Sequence, residues 1–122
     1  MIVHLTTQTD WQTAQPIGTY RAASLETEGF IHCSTTAQIL DVANLFYAGI
    51  PDLVLLWIEL SRVRADVRWE PPVHPGSSPS GKELENQVQL FPHIYGPLNL
   101  DAVVEVTDFV PDVDGVFRRV RG

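Results

Sequence analysis

Residues 53–58, Leu-Val-Leu-Leu-Trp-Ile, form an unbroken apolar run. Six residues are too few to span a membrane as a helix. A run without alternation fits a strand buried on both faces, and such a strand needs apolar layers on either side. One layer is visible in the segment 35–49. Ile39, Val42, Ala43, Phe46 and Tyr47 follow the i, i+3, i+4, i+7, i+8 spacing of an amphipathic helix, with Gln38, Asp41 and Asn44 opposite. Thr35 and Gln38 supply a capping box, and Gly49 followed by Pro51 supplies the stop.

Shorter signals fill in the rest. Residues 1–6 read as a strand, and 9–15 as a short helix with Thr9 as N-cap, Gln12 three positions on and Gly18 as terminator. Residues 19–29 read mostly as loop and 30–34 as a strand leading into the main helix. Three more strands are expected at 66–70, 89–95 and 101–109. Between them, 71–88 concentrates Pro, Gly and Ser and reads as an inserted, mobile surface loop. The order of elements favours one α+β domain over residues 1–122, with helices packed on a mostly antiparallel or mixed sheet.

Composition excludes several function classes. A net charge of −7 argues against a protein held to duplex nucleic acid through phosphates. The basic cluster Arg118, Arg119 and Arg121 reads as a solvated tail. One cysteine, Cys33, allows neither an internal disulfide nor a cysteine-rich zinc site. The opening residues lack the basic and long apolar parts of a signal peptide. A soluble, cytoplasmic protein is expected, with its oligomeric state left open.

The chemistry concentrates in histidines. Residues two apart share one face of a strand, so His4 shares a face with Thr6, His32 with Ser34, and His93 with Tyr95. Imidazoles and hydroxyls brought together suit proton transfer or the orientation of a polar ligand. Each histidine taken singly is better read as an ordinary half-buried strand residue bonded to a nearby carbonyl; only the three parallel pairs together bring the two readings level. His74, in the Pro/Ser loop, reads as merely exposed. Ser34 and Thr35 cap the main helix, whose N-terminus also offers an anion site. Glu70 is the best acidic candidate, and Arg68 on the same face is a ready ion-pair partner. Trp11, Trp57 and Trp69 read as packing residues. The catalytic candidates are therefore His32, His93, Tyr95 and Glu70; the ligand-binding candidates are His4, Thr6, Ser34 and Thr35. No HxH or HExxH spacing supports a metal, and the glycine fingerprints of P-loops and dinucleotide sites are absent. Pro92 and Pro97 exclude a strand lying wholly in a sheet interior, which places His93 and Tyr95 at an open cleft edge.

The segments "GFIHCST" (29–35), "DLVLL" (52–56), "RWEP" (68–71) and "FPHIYGPLNLDAV" (91–103), with the opening 2–20, resemble in order the bacterial DUF952 family of small proteins. That family is similar, distantly, to ADP-ribosyltransferases and RNA 2′-phosphotransferases. The resemblance implies a compact split β-sheet holding NAD, or another nucleotide or small anionic ligand, in a cleft. It places His4 where those enzymes hold the nicotinamide ribose, and the His32/Ser34 strand where they carry a hydroxyl. On the late strand they often carry a glutamate; here stand His93 and Tyr95. The 71–88 segment departs too, since it lacks the arginine of the usual turn and offers Lys82 instead. The readings are an ADP-ribosyltransferase-like NAD- or nucleotide-handling enzyme, a non-catalytic module for an anionic or nucleotide ligand, and a metal-assisted hydrolase.

Overall fold

The computed structural model describes residues 1–72 and 89–121; the expectations for 73–88, including His74 and Lys82, lie outside them. Strand β1 (Ile2–Thr7) leads into helix α1 (Gln8–Ile17), strand β2 (Thr19–Tyr20), helix α2 (Ala23–Thr27), strand β3 (Ile31–His32) and helix α3 (Ile39–Phe46). Strands β4 (Leu53–Ile58), β5 (Asp66–Glu70), β6 (Phe91–Tyr95), β7 (Leu98–Asn99) and β8 (Val103–Asp108) follow. They form two three-stranded sheets, β1-β4-β8 and β3-β6-β5, and a β2-β7 pair, all antiparallel. The architecture is α+β, as the element order implies.

The apolar run explains the layering. All six residues of β4 are buried. Val54, Leu56 and Ile58 pack with Ile31 and Ile94 of the other sheet. Leu53, Leu55 and Trp57 alternate to the opposite side, against Ile39 and Ala43 of α3 and against Phe109 and Phe117. Each fully buried leucine or isoleucine contributes about 1.5–3 kcal/mol relative to its exposed state, so this strand anchors both layers.

Several boundaries differ from expectation. The cap of α1 is Thr7, whose Oγ1 accepts from the Asp10 amide, because the chain leaves β1 straight into the helix. Gly18 ends that helix in the left-handed region, at φ 91°. The supposed loop 19–29 contains β2 and α2. The Thr35–Gln38 box forms reciprocally: the Thr35 amide donates to Gln38 Oε1 at 2.9 Å and the Gln38 amide to Thr35 Oγ1 at 3.2 Å. The α-helix nevertheless begins only at Ile39, after a turn, and ends at Phe46.

The C-terminal arginines are not a loose tail. Arg118 pairs with Asp112 and Asp114, Arg119 with Asp112, and Arg121 with Glu105 while lying over the Trp57 ring. Trp69 faces away from the site strand's polar side as expected, yet it is 44% exposed and not a core residue.

Candidate functional site

Alternation divides the β3-β6-β5 sheet into two unlike faces. Ile31, Ile94 and Val67 turn to the core. His32, His93 and Arg68 stand in one cross-strand row on the other face, flanked by Tyr95 and Glu70. Strand β6 is the middle strand, so His93 is not at a sheet edge and is only 1% exposed. Pro92 is tolerated because a strand residue points its nitrogen and its carbonyl to the same side. Its carbonyl accepts from the Cys33 amide, just past the end of β3, so the missing N–H costs no bond to β5.

Glu70 joins the row together. Its Oε1 accepts from His93 Nδ1 at 2.9 Å and from the Tyr95 hydroxyl. The bonds from Tyr95 and then His93 hold the Glu70 carboxyl below its ordinary range. Tyr95 is correspondingly pushed up, chiefly by that bond. Burial lowers His93 and outweighs the opposing pull of Glu70, which favours a neutral ring. An ionised carboxylate only accepts, so the Nδ1 of His93 carries the proton and Nε2 keeps its lone pair. Phe30 stacks on His93 with ring centroids 4.1 Å apart. Arg68 does not pair with Glu70; it bonds Asp66 at 2.9 Å and lies over the Tyr95 ring. His32, half-buried, bonds Glu28 at 2.8 Å, and its ring centre is 5.5 Å from that of His93.

His4 is tied differently. Its Nδ1 donates to the His32 carbonyl, linking the two sheets, and its Nε2 lies 2.8 Å from the Tyr20 hydroxyl. A carbonyl only accepts, so Nδ1 is the protonated nitrogen and Tyr20 donates to Nε2. The 3.0 Å contact between Tyr20 and Thr6 is then donated by the Thr6 hydroxyl. Burial lowers His4 from 6.5 to about 4, so the ring is neutral near pH 7.

A cavity of about 310 Å³ opens beside these rings. His4, His32, Ser34 and His93 line it, with Phe46 of α3 and Phe91 of β6 among its apolar walls. Thr6, Glu70 and Tyr95 are not among the described lining residues, and Thr35 is engaged in the capping box. At the helix start, where an anion site is expected, the Thr35 and Gln38 amides are already bonded to side chains of that box. Among the described residues no three His, Cys, Asp or Glu side chains are grouped to hold a metal ion, and no helix is long and apolar enough to cross a membrane.

The family described as "Protein of unknown function (DUF952)" matches residues 5–106. The chain belongs to it. This DUF952 chain is similar to protein CC0527 from Caulobacter crescentus, at 28% identity. A crystal structure of that protein aligns over 96% of this chain and 92% of the other, with a TM-score of 0.77. A crystal structure of its double methionine mutant gives the same values. Its solution NMR structure covers 96% and 90%, with a TM-score of 0.73. No protein of curated function matches the chain.

Within the DUF952 fold, period-two reasoning finds the imidazoles and misses their partners. Tyr20 lies in a two-residue strand, which leaves no periodic trace. Glu28 falls in the stretch read as loop, and Phe30 opens the stretch read as a strand. Strand alternation from His32 back to Phe30, which stacks on His93, and from His93 back to Phe91, which lines the cavity, was the available signal for these rings.

Proposed function

We propose that the protein is a proton-transfer enzyme acting on a small nucleoside-type ligand, on an ADP-ribosyltransferase-like scaffold, with His93 as general base. The carrying observation is the 2.9 Å bond from His93 Nδ1 to Glu70. A neutral imidazole oriented by a carboxylate presents Nε2 to an O–H or N–H and takes its proton, while the carboxylate stabilises the imidazolium that results. Two features support the scaffold. The sheets are split with a cavity lined from both. The glutamate missing from the late strand has a counterpart in Glu70, delivered from β5 to His93 and Tyr95.

NAD is the substrate the resemblance implies, and the lining does not fit it intact. Among the described residues no arginine or lysine lines the cavity, and two of the amides that might cradle a diphosphate are capped. The second reading is a non-catalytic binding module, favoured by His4, whose two ring nitrogens are both engaged within the protein.

The test is incubation with nucleosides, nucleotides, NAD and 2′-phosphorylated RNA ends, followed by proton and phosphorus NMR. Turnover by wild type, reduced about 10²-fold or more in His93→Gln, is expected. Binding without turnover anywhere in the panel selects the binding module instead.

A further inference from the structure

The cavity lining discriminates by charge and by hydrogen-bond sense. Three aromatic rings, Phe46, Tyr47 and Phe91, and aliphatic side chains of β1 and α3 make up most of it. Its polar groups are the imidazoles, the Ser34 and Tyr47 hydroxyls and the Cys33 thiol, with no arginine or lysine among the described lining residues. The carboxylates of Glu28 and Glu70 are hydrogen-bonded to the lining imidazoles His32 and His93. We infer that the cavity takes an uncharged flat heterocycle bearing an N–H or O–H donor, as in a nucleoside, and leaves phosphate groups outside. The inference rests on the preceding reading only in seating the ligand at His93.

Four arguments converge on it. His93 offers an Nε2 lone pair, which accepts from a ligand donor and repels a phosphate oxygen. His4 has no ring nitrogen left to give, since its bonds to His32 and Tyr20 use both. An anion in the cavity would meet nearby carboxylates, with no arginine or lysine among the described lining residues to offset them, in a chain of net charge −7. Aromatic walls favour contact with a flat π-system, and about 310 Å³ lies at the small end of the range for small-molecule sites, roughly 300–1,000 Å³.

Calorimetric titration of the full chain with adenosine, uridine, AMP, UMP, NAD and inorganic phosphate, at two salt concentrations, decides the matter. At least one nucleoside should saturate the protein without salt dependence, and its monophosphate should bind about tenfold or more weakly. Phe46→Ala should weaken the nucleoside by roughly 3- to 10-fold. Val42→Trp, which fills the cavity from α3, should abolish binding. Tighter binding of the monophosphate or of phosphate overturns the inference. So does failure of both nucleosides to saturate, or affinity indifferent to both substitutions. Nucleoside binding without turnover would sink only the general-base reading; turnover of a ligand held by its phosphate would sink only this one.

Discussion

Glu70 Oε1 accepts from both His93 and Tyr95, so each of the three groups reports on the others. Removing the charge while keeping an acceptor, as in Glu70→Gln, weakens the main influence that raises His93 and leaves Glu28 as the remaining charge opposing burial. His93 should then titrate lower still, and Tyr95 should fall back toward its ordinary value. Tyr95→Phe acts on the carboxylate instead: it removes the largest cause of the lowered Glu70, whose titration should move up. Imidazole and carboxyl chemical shifts followed against pH read all three directions. A His93 that rises in Glu70→Gln would mean that the bond does not orient the ring as described.

At the scale of elements, the Thr35–Gln38 box is the clearest local device, since both bonds are made and Gln38 also donates from Nε2 to the Leu90 carbonyl at 2.8 Å. Thr35→Ala should cost about 1 kcal/mol in urea denaturation, whereas the exposed neighbour Thr36→Ala should stay within about 0.5 kcal/mol. An equal effect at both positions would remove the cap from the account. Strands β1 and β4 are legible because burial marks five or six consecutive residues, and β5 and β8 because β-branched or aromatic residues recur along them. Strands β2 and β7 are two residues each, and their pairing of Tyr20 with Leu98 is a long-range fact with no local mark. The candidate site divides in the same way. Which side chains share a face of one strand follows from alternation; that His32 faces His93 across β3 and β6 depends on register, which the turns and tertiary packing set.

Over the whole molecule, the two sheets are joined by reciprocal backbone bonds between Val3 and Ser34, by the His4 bond to the His32 carbonyl, and by a shared core. His4 therefore ties its protonation state to the fold. Its folded value, about 4, lies below the unfolded 6.5. Below pH 6.5 the unfolded chain gains a proton that the folded chain refuses. Stability from this group is thus complete above pH 6.5 and is lost as pH falls toward 4, with a slope approaching about 1.4 kcal/mol per pH unit. His93, also lowered, acts in the same direction. The lowered carboxylates Glu70, Asp101, Glu105, Asp112 and Asp114 have ordinary values of 4.5 or 3.8, so their losses come mainly at lower pH. The window between about pH 4.5 and 6.5 isolates the imidazoles. Urea unfolding of wild type and His4→Asn across that window should show the variant less stable at pH 7 but with a distinctly shallower pH slope. His93 is kept in both proteins, so the difference in slope belongs to His4. Parallel slopes would mean that His4 takes up its proton in the folded state without penalty, and that the two sheets do not depend on its neutral form.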